Sequence, residues 1–275
     1  MKKIVLLLSI GLLLFSCGPQ ENPDPGIVFG SFTDSRDGKV YKTVTIGEQL
    51  WMAENLAYLP AVSALATGSK TEPHYYVYGY DGTDVTEAKA YEHTPTGFEY
   101  SPGGAPIKSY ETYGVLYNWP AAMNGVASSE ANPSGVQGAC PPGWHLPSDA
   151  EWTQLENYLI ANGYNYDGTT TGNKIAISLA SATGWDAYNN PGAIGNTNTA
   201  YDAYRNKSGF SALPGGYRDY DGSTFGRIGN YSSWWSSAEY NADYVWDRTL
   251  LYDTRSARWY GSFKDHGFSV RCVRD

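Results

Sequence analysis

Apolar and polar positions divide the chain into stretches of unlike character. Over residues 31–58 they alternate, as half-buried strands require. Asp37-Gly38 stands between two such runs and predicts a type I′ hairpin. Gly47-Glu48 predicts a second turn. Residues 59–112 are rich in Tyr, Pro, Gly, Thr and Ser, keep no period, and are expected to form an insertion or long surface excursion. Residues 113–126 hold a short helix, with Pro120 near its start. The clearest local signal covers 140–163. Ser148 and Glu151 form a capping box, Trp152, Leu155, Tyr158 and Leu159 recur at helical spacing, and Gly163 suits the position after the last turn. From 164 onward the chain reads as short strands and turns, with 240–252 and 257–263 facing each other across a turn. In the closing run 267–275, Phe268, Val270 and Cys272 share one strand face, and Ser269 and Arg271 share the other. Cys272 therefore belongs with core residues, which opposes an exposed nucleophile.

The first 16 residues have a different origin. Lys2 and Lys3 precede an apolar run, Ile4 to Phe15, broken only by Ser9 and Gly11 and closed by small Ser16. That is the pattern of a secretory signal peptide. Leu14-Phe15-Ser16-Cys17 resembles the lipobox of bacterial lipoproteins, which implies cleavage before Cys17, a diacylglycerol on its sulfur and membrane attachment through that anchor. Residues 17–30, with Pro19, Pro23 and Pro25, read as the lipidated cysteine and a flexible tether. Without Lys2 and Lys3 the chain carries 17 basic against 28 acidic residues, a net charge of −11. Such a surface repels phosphates, so no nucleic-acid partner is expected. Tyr and Trp, at 24 and 9, far outnumber the 8 Phe. These are the aromatics that tolerate a wet surface, as a secreted binder needs. With Cys17 lipidated, Cys140 and Cys272 remain. Their separation of 132 positions is too wide for a redox or zinc motif. An oxidising compartment favours a disulfide between them, with two free buried thiols as the alternative.

Catalytic signals are thin. His74, His93, His145 and His266 follow no metal-binding spacing, and there is neither a nucleophile elbow nor a phosphate-cradling glycine loop. No catalytic residue and no cofactor is assigned. Asp219 and Asp221 beside Gly222 offer oxygens to calcium, yet a calcium loop needs more ligands. The stretch before the closing run differs in kind, being rich in wet aromatics and arginine with few aliphatics. It supplies the candidate ligand contacts: Tyr240, Tyr244, Trp246, Arg248, Tyr252, Arg255, Arg258, Trp259, Tyr260, Phe263 and His266. Strand alternation lets only about half of them face a ligand.

Several motifs resemble the Fibrobacter succinogenes major paralogous domain. They are Asp37–Val44 (DGKVYKTV), Ile46-Gly47, Trp51–Leu56 (WMAENL), Cys140–Pro147 (CPPGWHLP), Gly209–Arg218 (GFSALPGGYR), Trp234–Ser237 (WWSS) and Gly267–Val273 (GFSVRCV). Leu146-Pro147 with Glu151-Trp152, and terminal Gly267-Phe268, also resemble the formylglycine-generating branch of the C-type-lectin-like fold. The resemblance implies an α+β domain over 31–275 with small twisted antiparallel sheets, one or two packed helices, long loops and termini that meet in a sheet. It does not carry an activity over. The only cysteines for an active-site pair are Cys140 and Cys272, and the calcium-lectin triplets Glu-Pro-Asn and Gln-Pro-Asp are absent. The expectation is an outer-membrane lipoprotein, on the periplasmic face or cell surface, that binds an extracellular glycan or protein without catalysis. An envelope enzyme working on polysaccharide through a carboxylate pair and a structural assembly subunit are the alternatives.

Overall fold

The computed structural model describes residues 27–95 and 105–275. The expected signal peptide, the expected lipidation site Cys17 and the expected tether up to residue 26 lie outside the described residues.

Three strands open the described chain: β1 (Ile27–Thr33), β2 (Val40–Ile46) and β3 (Gln49–Met52). They pair antiparallel in succession. Ile27–Gly30, read from sequence as tether, instead form half of β1 opposite Thr43–Ile46. The β2–β3 turn is the two-residue Gly47-Glu48, and Gly47 takes φ +62°, open to glycine at little cost. The first turn is longer than the Asp37-Gly38 signal implies, because Thr33 pairs with Val40 and leaves six residues between. Buried Asp34 holds that loop, accepting from the Arg36 backbone and guanidinium at 2.7 to 3.2 Å.

The described residues of 59–112 are not a surface excursion. They carry β4 (Tyr75–Tyr76), α1 (Val85–Ala90), β5 (Glu92–His93) and β6 (Ile107–Lys108), and run into α2 (Ser109–Tyr113). Strand β4 pairs with β7 (Leu116–Tyr117), and Leu59, Val62, Tyr76, Val77 and Tyr78 are buried. Irregular backbone can be buried only if its polar groups are satisfied. Tyrosine hydroxyls help to do this: Tyr76 donates to Thr67 O at 2.6 Å, Tyr110 to Ala57 O at 2.9 Å and Tyr117 to Tyr58 O at 2.7 Å. The tyrosine richness here is therefore largely interior.

Helix α3 (Trp119–Met123) starts on Asn118, whose side chain caps the Ala121 N–H at 3.1 Å, with Pro120 in the first turn. After β8 (Trp144–His145) comes α4 (Asp149–Ala161). Its capping box is complete. Ser148 Oγ accepts from Glu151 N at 3.2 Å, and Glu151 Oε2 accepts from Ser148 N at 3.0 Å. Trp152, Leu155 and Leu159 face the core. A short α5 (Ala176–Leu179) follows.

The second large sheet contains β9 (Gly215–Arg218), β10 (Phe225–Ile228), β11 (Tyr231–Glu239), β12 (Tyr244–Leu251) and β13 (Arg258–Phe263), in the order β10-β9-β11-β12-β13. The chain ends in β14 (Val273–Arg274), which enters the first sheet between β3 and β8. Both ends of the described chain thus share one sheet, in a mixed α+β architecture dominated by strands. The closing run is strand only at its last two paired residues. Residues 264–272 cross between the sheets through single bridges, such as Phe268 with Tyr117 and Ser269 with Trp234. Phe268 to Val273 are all buried, so the expected split into an inward and an outward face fails.

The Cys140–Cys272 disulfide is formed and buried, beside the junction where β14 pairs with β8. Deeper in, Trp51, Trp152, Phe210 and Trp234 pack ring against ring at centroid distances of 4.6 to 6.3 Å. The Arg271 guanidinium lies 4.1 Å from the Phe210 ring centroid and donates to Asn55 Oδ1 at 3.0 Å, to Ser211 O at 3.0 Å and to Phe210 O. Burial lowers its pKa to about 9. Among the described residues, no helix is long and apolar enough to cross a membrane.

Candidate functional site

Strand β13 is the free edge of the second sheet. Alternation sends Trp259 to one face and Tyr260 to the other, and both are exposed, at 54% and 41%. Each borders a hollow of about 290 Å³. Trp259 meets Trp246, Ala150, Glu130 and Asp149. Tyr260 meets Tyr217, Arg227, Tyr231, Leu251, Ser262, His266 and Phe268.

The Tyr260 cleft is the more fully built. Tyr217 and Tyr231 meet edge to face at 5.2 Å, and His266 stacks on Phe268 at 5.1 Å. The floor is polar. Asp247 of β12 is fully buried, and its carboxylate accepts from Ser262 Oγ at 2.8 Å, Ser233 Oγ at 2.8 Å and Thr249 Oγ1 at 2.7 Å. Burial pushes Asp247 up to about 6, and the three hydroxyl bonds and Arg248 oppose that rise. Tyr231 hydrogen-bonds Ser233 Oγ at 2.9 Å, and burial raises its pKa. Burial lowers the pKa of His266, against the pull of Asp219, whose Oδ1 lies 3.6 Å from Nε2. His266 is then a neutral imidazole at pH 7. On the rim, Arg227 is exposed, hydrogen-bonds the Tyr217 side chain and takes φ +61°, a backbone region that L side chains rarely adopt.

The sequence-derived contacts separate by location. Tyr240, Arg255, Arg258, Trp259 and Tyr260 are exposed, and Tyr244, Trp246, Tyr252, Phe263 and His266 are half-buried. Arg248 is buried and turned inward. It bonds Glu156 at 2.8 Å and Asp149 at 2.6 Å, clamping β12 to α4 instead of facing a ligand. Of the set, only Tyr260 and His266 line the Tyr260 cleft; Trp246 and Trp259 line the opposite hollow. Tyr217, Arg227, Tyr231 and Ser262 were missed. Tyr217 sits within a quoted motif, but nothing in a single sequence brings Arg227 beside it.

Asp219 and Asp221 act as turn caps, accepting from the backbone N–H of Tyr220 and Ser223, each at 2.8 Å. Among the described residues, no three or more His, Cys, Asp or Glu side chains gather where a metal could sit. His145 is structural: its ring nitrogens meet Glu151 and Asp275, each at 2.6 Å, beneath the β8–β14 pair. A third hollow, of about 180 Å³, mixes Lys39 and Lys42 with Glu54 and Glu111 and has one aromatic wall, Tyr110.

Nothing among curated proteins or solved structures matches the chain. Residues 44–274 match the Fibrobacter succinogenes major domain, from β2 to the last strand and across both large sheets, and the chain belongs to that family.

Proposed function

We propose that this domain is a non-enzymatic binding module whose Tyr260 cleft takes an extracellular glycan. One observation carries the reading: a concave site on a rigid sheet pairs aromatic rings with a few fixed polar groups. A pyranose ring offers an apolar C–H face to an aromatic ring and hydroxyls around its rim. Arg227, Ser262 and His266 supply polar groups for those hydroxyls. At about 290 Å³ the hollow suits one or two sugar rings. A stable protein partner instead needs well over about 1,000 Å² of matched surface. The joining of both ends of the described chain in one sheet supports a C-type-lectin-like scaffold. A diacylglycerol on Cys17 would hold the domain at the outer membrane, and protease shaving of intact cells tests which face it occupies.

Among the described residues, carboxylate pairs border two hollows, Glu130 with Asp149 and Glu54 with Glu111, the latter beside Lys39 and Lys42. Asp149 is held by the Arg248 guanidinium at 2.6 Å, which ties it to the β12–α4 clamp. No carboxylate lines the Tyr260 cleft.

The test is a glycan array probed with the mature chain and with Tyr260→Ala, run beside pull-down from surface-protein extracts. Glycan binding lost in the variant is the expected result. A blank array with a captured protein would replace the glycan by a protein ligand, and failure of both would refute the binding reading.

A further inference from the structure

We propose that the glycan bound in the Tyr260 cleft is anionic, carrying carboxylate or sulfate groups. This inference rests on the glycan reading and deepens it. The mature chain is strongly acidic, yet the charged side chain among those lining the cleft is an arginine, Arg227, and Arg258 reaches in from the neighbouring hollow. Each of two wall tyrosines carries an arginine: Arg227 hydrogen-bonds Tyr217, and Arg258 Nη1 donates to the Tyr260 hydroxyl at 3.1 Å. Among the described residues, no carboxylate lies within ion-pair distance of Arg227 or Arg258. Elsewhere on the second sheet arginines are consumed. Arg218 donates only to backbone carbonyls of Leu65, Thr67, Tyr220 and Asp265, and Arg248 is spent on Glu156 and Asp149.

The acidic groups nearest the cleft do not cancel these charges. Asp247 lies buried beneath the wall with its oxygens taken by three hydroxyls. Asp219 is turned toward His266 and its own turn. A guanidinium with unspent N–H groups is suited to bidentate capture of a carboxylate or sulfate.

The backbone at Arg227 points the same way. On either side of it Gly226 pairs with Tyr217 and Ile228 with Gly215, while Arg227 itself sits at φ +61°. Glycine would hold that conformation without strain. An arginine kept there, exposed on the rim of a cleft, is an outlier whose compensation is sought in function.

The experiment measures affinities of the mature chain for matched probes: oligogalacturonides against their methyl esters, and sulfated galactans against their desulfated forms, beside an array of neutral glycans. Charged forms should bind at least tenfold tighter than their neutralised partners, and more weakly as salt is raised. Arg227→Gly should lose that preference while its melting temperature stays level or rises, which separates a binding loss from a folding loss. Arg258→Gln gives an independent second reading of the same preference. Equal affinity for charged and neutral forms, or neutral glycans as the best ligands, overturns the anionic assignment and leaves the glycan reading standing. A blank result across all probes and the array overturns both.

Discussion

Replacing Cys140 and Cys272 together by alanine opens a loop that the bridge now closes over a separation of 132 residues. In the chain-entropy treatment, closing a loop of that length stabilises the fold by about 5 kcal/mol at 25 °C. A second, smaller effect comes from packing. Both cysteines are fully buried in the cluster that holds Trp144, Leu146 and Val270, so removing the sulfurs costs roughly 1–2 kcal/mol more. The folded architecture should survive, because the junction has other bonds. Val273 pairs with His145, Arg274 pairs with Trp144, and His145 bonds Asp275. Since domains of this kind are stable by only about 5–15 kcal/mol, the variant sits near the edge of folding. Urea unfolding followed by tryptophan fluorescence measures the loss on three samples: oxidised wild type, reduced wild type and the double variant. Reduction keeps the sulfur atoms in place, so it isolates the unfolded-chain effect. Both altered samples should show a lower midpoint and a larger m-value, because the freed chain expands. If reduction shifts stability by less than about 1 kcal/mol, the bridge does not act through the unfolded chain and the reasoning fails.

Three further outcomes follow from buried ionisable groups. Arg271→Lys should cost about 2–4 kcal/mol in urea unfolding, because an ammonium cannot reach Asn55 Oδ1 and the carbonyls of Phe210 and Ser211 together; a loss below about 0.5 kcal/mol contradicts the assigned bonds. Asp247, raised to about 6, holds its proton more tightly in the folded chain than in the unfolded one. It therefore draws stability down by about 3 kcal/mol as pH climbs from about 4 to 6, and no further above that. Asp247→Asn should flatten this slope, and parallel slopes in the two proteins would rule the assignment out. His145 has the opposite consequence. Burial opposes its charge, but the bonds to Glu151 and Asp275 outweigh burial and raise its pKa above 6.5. Its contribution is full below pH 6.5 and fades as pH rises through the folded value, so the stability gap between wild type and His145→Gln should narrow on that limb. A gap that is constant from pH 5 to 9 would refute this.

What the sequence made legible was whatever is decided locally. The start of α4 needs only Ser148, Glu151 and the spacing of Trp152, Leu155 and Leu159, and all three signals lie within one short stretch. The cysteine pairing followed from counting. Misreadings occurred where a distant segment decides the outcome. Arg248 alternates as an outward residue should, but α4 covers that face and takes its guanidinium. The closing run alternates as well, but it crosses between two sheets and is buried all round. The described part of 59–112 keeps no period because its elements are short and are joined by irregular backbone, some of it bonded by tyrosine hydroxyls, as Thr67 O is by Tyr76. The motifs that mark the family follow the same division. Asn55, Phe210, Ser211, Trp234 and Arg271 come from four separate motifs and meet around one buried guanidinium. Arg227, Tyr260 and Ser262, which border the cleft, belong to none of the quoted motifs. Family membership is therefore read from residues that hold the sheets together. The ligand has to be read from side chains that the same scaffold exposes at its β13 edge.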